Sequence, residues 1–119
     1  KLAVVDRLMD SSTRLYASSG AMADPSKRKR IEELALILES VLEARRRVMV
    51  EVNVPADRLD AVVAVLPCMR EPTLSPLHGG AGFAVKAAVP RDLLPRVIPE
   101  IKRRGGTDVV VTRLLQIVP

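Results

Sequence analysis

The sequence predicts an α+β domain in which a four-stranded antiparallel sheet carries two helices on one face. From Val48 onward, the apolar residues change between strand-like and helix-like periods in the order strand, helix, strand, strand, helix, strand. Proline and glycine residues mark the boundaries between these segments. Such a βαββαβ order packs well as a single sheet, and right-handed crossovers place its first and third strands at the centre.

The composition is that of a small domain whose core contains few aromatic side chains. Of 119 residues, 48% are hydrophobic and 2% aromatic. The formal net charge of +5 comes from 19 basic and 14 acidic residues that are interleaved along most of the chain. This pattern favours a mixed-charge surface over a nucleic-acid patch. The single cysteine, Cys68, excludes an internal disulfide, and no apolar run approaches the length of a membrane span. We therefore expect a soluble, cytoplasmic protein.

The first 46 residues are predicted to be mainly helical. Apolar residues at helical spacing predict an amphipathic helix over residues 1–10, which starts without a cap and so continues from preceding sequence. Residues 13–17 are interpreted as a short strand and residues 18–20 as a loop. Asp24 and Pro25 are typical of the start of a helix. The apolar stripe of this long helix comprises Ile31, Leu34, Ala35, Leu38, Val41 and Leu42, and its basic end comprises Arg45, Arg46 and Arg47.

The strict alternation from Val48 to Val54 predicts a half-buried strand. The following helix has an inner stripe that runs from Leu59 to Leu66 and is ended by Pro67. The prolines at 72 and 76 predict that residues 73–77 form either an edge strand or an irregular strand. A glycine-rich hairpin loop over residues 78–82 then leads to the third strand.

The second half of the domain repeats this pattern. In the third strand, Phe83 and the alternate residues that follow it share one face. The next helix is expected to start near Pro95 or to kink at Pro99, and it is followed by a left-handed exit at the two glycines 105 and 106. Residues 108–118 are predicted to be a buried strand. The sheet face without helices would then carry small and polar side chains suited to a ligand or partner, namely Met49, Glu51, Asn53, Ala84, Lys86 and Ala88.

Several motifs occur here in an order and spacing known from one enzyme family. They are the helix from Ile31 to Ala44 with the strand after it, Leu66-Pro67, the segment Glu71-Pro-Thr-Leu-Ser-Pro-Leu77, and the segment from Phe83 to Pro90. In these motifs the chain resembles the C-terminal portion of long-form ATP phosphoribosyltransferases. The resemblance implies that residues 1–22 are the tail of the catalytic domain and 23–46 a connecting helix. Residues 47–119 would be a ferredoxin-like, PII/ACT-like regulatory domain that binds histidine.

The resemblance also implies an activity for the complete enzyme. Members of the family join ATP to phosphoribosyl pyrophosphate with the help of Mg²⁺, in the first step of histidine biosynthesis. L-Histidine acts on the regulatory domain as a feedback inhibitor, and the enzyme is a homo-oligomer, from dimer to hexamer. The phosphate-binding loop of the family would precede Lys1, so we expect this chain alone to be inactive and to need no metal.

The histidine site implied by the resemblance consists of positions that match Asn53, Thr73, Ala88 and Asp108. A free amino acid needs acceptors for its ammonium and donors for its carboxylate, which these side chains and nearby backbone groups can supply. The amide of Asn53 is a departure, because this position is often acidic in the family. An amide pairs less strongly with an ammonium than a carboxylate does.

Two other functions fit the predicted order of elements. A stand-alone ferredoxin-like effector-binding domain would not need residues 1–44. A single-stranded RNA-binding domain would need stacking aromatics on the open sheet face, where Phe83 is the only candidate and its alternation places it on the other side. His78 is the single histidine, so we expect neither a histidine-based metal site nor a Ser-His-Asp triad in this chain. Cys68 is interpreted as a structural thiol.

Overall fold

A computed structural model describes residues 1–118, which divide into two compact units, Lys1–Leu36 and a second that starts at Ile37. The division falls inside the long helix, so it coincides with none of the predicted domain boundaries, and the assignment of catalytic and regulatory ranges stays a prediction. The helices are α1 (Ser19–Ala23), α2 (Pro25–Arg46), α3 (Leu59–Val63) and α4 (Leu94–Arg103). The strands are β1 (Arg47–Val54), β2 (Thr73–Pro76), β3 (Phe83–Pro90) and β4 (Thr107–Arg113).

The start of the first unit differs from the sequence prediction. Residues 1–18 form neither helix nor strand, so the helix predicted over residues 1–10 and the strand over 13–17 are both wrong. The apolar side chains of this segment, such as Leu2, Val5 and Leu8, are almost fully exposed. A helix of about ten residues is marginal unless its apolar face packs against something. Periodicity therefore predicted a helix for which this unit offers no packing surface.

Polar side chains cap the two helices of this region. The Ser18 Oγ accepts a hydrogen bond from the Ala21 N–H at 3.1 Å and starts α1, so the loop predicted over residues 18–20 is wrong beyond Ser18. The predicted start of α2 is confirmed. Asp24 Oδ1 accepts hydrogen bonds from the N–H groups of Ser26 and Lys27, at 2.9 and 3.2 Å. These bonds satisfy donors that the first helical turn leaves free.

The predicted apolar stripe of α2 is largely exposed in the structure. Leu34, Leu38 and Leu42 are each about half exposed, whereas the buried residues of the helix are Ser40 and Ala44. Apolar residues occur on several sides of this helix. The stripe predicted from the sequence was therefore not the side that is buried in the structure. The basic end is as predicted for Arg45 and Arg46, while Arg47 begins β1 and donates from Nε to Glu43 Oε1 at 2.5 Å.

The sheet has the predicted topology. Its strand order is β2-β3-β1-β4, and every neighbouring pair is antiparallel. The first and third strands are therefore central, and β2 is an edge strand, as its flanking prolines predicted. The α+β fold class, with its βαββαβ order and ferredoxin-like arrangement, is confirmed.

One face of the sheet holds the hydrophobic core. Along β1 the burial alternates strictly, and the even-numbered residues from Val48 to Val54 are no more than 3% exposed. Val62 of α3 and both Val97 and Ile101 of α4 pack on this face. Each helix thus buries its apolar stripe on the same side of the sheet, and the opposite side remains open. The rest of the core consists of Leu66, Val85, Ala87 and Val89.

The first crossover helix ends earlier than predicted, whereas the second agrees with its prediction. The α3 helix ends at Val63 instead of continuing to Pro67, although Leu66 is still buried. Proline disfavours the helical conformation in the residue before it. The last turn is therefore closed by hydrogen bonds between residues three apart, from the N–H groups of Val65 and Leu66 to the carbonyls of Val62 and Val63. The α4 helix starts at Leu94 with Pro95 in its first turn, as predicted, and Pro99 lies within it. Gly105, at φ 93°, supplies the predicted left-handed exit.

The last strand is shorter and more exposed than predicted. Instead of a buried strand over residues 108–118, β4 ends at Arg113, and Val109 is the one residue of the strand that is partly buried rather than exposed. Its position explains the difference, because β4 is the other edge strand and has one neighbour, β1. Beyond it, the chain passes the second half of α2, where the Ile117 N–H donates to the Ser40 carbonyl at 3.0 Å.

Candidate ligand-binding site on the open face of the sheet

A row of side chains crosses the middle of the open face. Thr73 of β2 is paired with Lys86 of β3, Lys86 with Glu51 of β1, and Glu51 with Val110 of β4. Paired residues on antiparallel strands lie side by side on the same face. The row therefore runs from a hydroxyl through a cation and an anion to an apolar side chain. The Lys86 Nζ and Glu51 Oε1 form an ion pair at its centre.

The rows on either side of this ion pair contain small residues. Ala84 and Ala88 precede and follow Lys86 on the same face of β3. Because an alanine side chain is only a methyl group, each position leaves a depression beside the longer Lys86 and Glu51 side chains. The flanking rows are Ser75, Ala84 and Asn53 on one side, and Ala88, Met49 and Thr112 on the other.

The depression over Ala84, here called the Asn53 cleft, has a volume of about 420 Å³. This falls within the usual size range of small-molecule sites, which is roughly 300–1,000 Å³. The polar groups around it are hydroxyls, an amide, two carboxylates and one ammonium. Its lining residues are Glu51, Val52, Asn53, Thr73, Ser75, Ala84, Val85, Lys86, Asp108 and Val110.

Asp108 is held at the edge of the Asn53 cleft by an irregularity of β4. The pairing of β1 with β4 shifts register between Glu51 and Asn53, and Asp108 has a positive φ of 48°. A positive φ is unusual for a residue with a side chain, and it persists only where surrounding contacts hold it. Here Asp108 Oδ2 accepts hydrogen bonds from Asn53 Nδ2 and from Thr107 Oγ1, each at 3.2 Å. The irregularity in β4 thus brings the Asp108 carboxylate and the Asn53 amide into contact.

The depression over Ala88, here called the Ala88 cleft, is smaller, and its polar lining residues are Arg70, Glu71, Thr73 and Lys86. Its volume is about 270 Å³, and Met49, Met69 and Ile117 supply much of its wall. The Met69 N–H donates to the Ala88 carbonyl at 3.3 Å and fixes the loop after α3 against β3. The Ile117 contact with α2 holds the C-terminal stretch at the other side of this cleft.

The structure brings three of the four residues predicted for the histidine site into one cleft. Asn53, Thr73 and Asp108 all line the Asn53 cleft, whereas Ala88 lines the neighbouring cleft. Thr73 and Lys86 line both clefts. Sequence reasoning placed Glu51 and Lys86 on this face but did not select them as ligand contacts. Their alternation with Asn53 and Ala88 along the strands was a signal that could have done so.

The remaining titratable candidates lie outside these clefts. His78 is in the exposed turn between β2 and β3. The Cys68 side chain is partly buried and packs against the core, and burial, followed by the nearby Glu71 carboxylate, raises the pKa of its thiol. A raised pKa reduces the thiolate fraction at neutral pH, which agrees with a structural thiol. A larger cleft of about 610 Å³ lies beside α4, where Glu100 pairs with two of its three arginines, Arg103 and Arg104.

Among residues 1–118, no group of three or more histidine, cysteine, aspartate or glutamate side chains is placed to hold a metal ion. The Mg²⁺ that the resemblance implies for the complete enzyme stays a prediction. Within the same part of the chain, no helix has both the length and the apolar character needed to cross a membrane.

A four-stranded antiparallel sheet with both crossover helices on one face defines a ferredoxin-like domain. Residues 44–116 match the family model described as HisG, C-terminal domain. The chain belongs to this family, which confirms the resemblance found in the sequence.

The names of similar proteins agree with this assignment. The chain is 36% identical over 118 residues to the ATP phosphoribosyltransferase of Pelotomaculum thermopropionicum, covering 99% of this chain and 41% of the relative. It is 38% identical, with the same coverage, to the ATP phosphoribosyltransferase of Koribacter versatilis. The chain thus spans about two fifths of the length of these relatives.

Proposed function

We propose that this chain is the regulatory, C-terminal part of an ATP phosphoribosyltransferase, and that its open sheet face binds L-histidine as a feedback inhibitor. The complete enzyme would join ATP to phosphoribosyl pyrophosphate, with Mg²⁺, in the cytoplasm. The family and the names of the relatives support the enzyme assignment. The observation that carries the histidine proposal is the Asn53 cleft, where Asp108 is held in a strained conformation beside Asn53 and Thr73.

The chemistry of the Asn53 cleft fits a free amino acid with an imidazole side chain. Imidazole can donate at one ring nitrogen and accept at the other. The Asp108 carboxylate accepts, the Asn53 amide does both, and the Thr73 hydroxyl does both. The small Ala84 side chain leaves space above the sheet for the ring. Binding would regulate the enzyme only if histidine prefers one arrangement of the complete assembly over another.

Titration of L-histidine into the full-length protein by calorimetry tests this proposal. Thr73→Ala and Asn53→Ala should each weaken binding by about 1 to 3 kcal/mol, because they leave a polar partner unsatisfied in the complex. Transferase turnover without histidine should stay near that of the unsubstituted enzyme, while inhibition by histidine becomes weaker.

Thr112→Ala is a matched control, because Thr112 lies on the same face but lines neither cleft. It should leave histidine binding unchanged. Unchanged binding for both Thr73→Ala and Asn53→Ala would place the histidine site elsewhere.

Self-association of the complete protein is part of the proposal. A cleft open to one side of a sheet can be closed by a symmetric copy, and small residues such as Ala84 and Ala88 permit close approach. We expect a homo-oligomer between dimer and hexamer in sedimentation experiments. A strictly monomeric profile at high concentration would contradict this part.

The chain by itself should not form phosphoribosyl-ATP. Its glycine-rich segment, His78–Gly80 with the residues that follow, connects two antiparallel strands and is not followed by a helix whose N-terminus could hold a phosphate. Measurable turnover by the purified 119-residue chain would overturn this expectation.

The RNA-binding alternative has no support on the open face. Of the two aromatic residues, Tyr16 lies outside the sheet, and Phe83 alternates with Ala84 so that it shares the helix-covered side with Val85. Base stacking on the open face would need aromatic side chains there.

A further inference from the structure

We propose that the Lys86–Glu51 ion pair recognises the zwitterionic head group of the amino-acid effector. Lys86 would bind its carboxylate, and Glu51 would bind its ammonium. This inference rests on the proposed function of the open face and adds the two residues that would select an α-amino acid. It assigns the head group to the middle row of the sheet and the imidazole side chain to the Asn53 and Asp108 end.

The position of Lys86 is the first part of the argument. Lys86 lies between Thr73 and Glu51 in the middle row and borders both clefts. In the described part of the chain, it is the one cationic side chain that lines the Asn53 cleft. A ligand carboxylate in this cleft therefore has one ammonium available to it, with the Thr73 hydroxyl beside it as a further donor.

The charge balance of the cleft selects the class of ligand. The Asn53 cleft contains one cation, Lys86, and two anions, Glu51 and Asp108. Its formal charge is therefore negative, which disfavours anionic ligands such as nucleotides or acidic amino acids. A zwitterion with a neutral or cationic side chain fits this balance, because its ammonium can face Glu51 while its carboxylate faces Lys86.

Replacing the contact between Lys86 and Glu51 by contacts with the ligand should cost little free energy. The Lys86 and Glu51 side chains are 51% and 42% exposed, so they are still largely hydrated when they contact each other. A solvent-exposed ion pair contributes little to stability. A head group that inserts beside the pair replaces a weak contact with two charge-assisted hydrogen bonds, whose strength increases as the ligand and a neighbouring copy exclude water.

Three ligands separate the roles of the two charges in calorimetric titrations of the full-length protein. They are L-histidine, L-histidinol, which has a hydroxymethyl group in place of the carboxylate, and imidazolepropionate, which lacks the amino group. The unsubstituted protein should prefer histidine to each analogue by about tenfold or more, the effect of losing one charge-assisted hydrogen bond.

Lys86→Met keeps most of the length of the side chain but removes its charge. It should weaken histidine binding by about tenfold or more and leave histidinol binding within about twofold, so that the preference for histidine disappears. Lys86→Arg is the matched control and should keep most of the preference, because the cation is retained. Glu51→Gln should abolish the preference for histidine over imidazolepropionate in the same way. Far-UV circular dichroism of each variant checks that the fold is intact.

The failure of this inference can be told apart from the failure of the proposed function. If the unsubstituted protein binds histidine and Lys86→Met keeps the full preference over histidinol, the ion pair does not read the head group, and the histidine site itself stands. If the unsubstituted protein does not bind histidine at all, both proposals are overturned.

Discussion

The two faces of the sheet are built from alternate residues of the same strands, and their roles differ. On the helix-covered face, the residues of β1 from Val48 to Val54 are buried at every second position. The residues between them, such as Glu51 and Asn53, border the open Asn53 cleft. Substitutions on the covered face should therefore change the free energy of unfolding, and those on the open face should change ligand affinity. The first three of the following predictions test that division.

The largest effect is expected from Ile101→Ala on the covered face. Ile101 is fully buried in the core between α4 and the sheet. Removing three carbons from such a position destabilises a domain by about 2 to 5 kcal/mol, through lost transfer free energy and the cavity that remains. Urea unfolding monitored by circular dichroism measures the change. Thr112→Ala on the open face is the control and should stay within about 0.5 kcal/mol of the unsubstituted chain. Similar losses for both variants would mean that the two faces do not divide stability as proposed.

Gly106→Ala tests the same core with an added atom. A Cβ at Gly106 would overlap the Cγ2 atoms of Ile101 and Val52, both of which are buried. Overpacking of this kind usually destabilises a protein by about 1 to 3 kcal/mol. Gly20→Ala in α1 is a matched control, since a Cβ there meets nothing within 4 Å. Chemical denaturation should show a lower midpoint for Gly106→Ala than for the unsubstituted chain. The midpoint of Gly20→Ala should not be lowered.

Lys86→Met should affect folding much less than the two core substitutions. Because the Lys86–Glu51 pair is roughly half exposed, its loss should change the free energy of unfolding by no more than about 1 kcal/mol. The same variant should markedly weaken histidine binding in calorimetry. If Lys86→Met instead unfolded as easily as Ile101→Ala, the main role of the ion pair would be to stabilise the fold rather than to bind a ligand.

The smallest effect concerns the reactivity of Cys68 at the margin of the core. Burial and the Glu71 carboxylate raise the pKa of the Cys68 thiol, so its thiolate fraction at neutral pH is lower than that of an unfolded cysteine. Iodoacetamide should therefore alkylate the folded chain more slowly than the urea-unfolded chain, with a rate that rises with pH. Glu71→Gln removes the second cause, lowers the pKa towards its ordinary value and should modestly accelerate alkylation. A rate that does not respond to Glu71→Gln would leave burial as the sole cause.

Much of the fold could be predicted because its signals are local. The structure contains the strand predicted by the alternation from Val48 to Val54 and the edge strand predicted by the prolines around β2. It also ends α4 where the two glycines predicted the end of a helix. The errors have a common origin. Residues 1–10 have helical periodicity without a packing surface, and β4 has a β-branched composition without a second neighbouring strand. A local pattern shows which conformation a segment favours, but not what lies against it.

The sequence by itself determined which residues share a face, because side chains on a strand alternate with a period of two. It thereby placed Asn53 and Lys86 on the open face. Only the tertiary structure decided that Lys86 lies between Thr73 and Glu51, and that an irregularity in β4 brings Asp108 to Asn53. These neighbours are distant along the chain, and they meet through the register of strand pairing and a bulge. Both are set by the packing of the whole sheet rather than by any one segment.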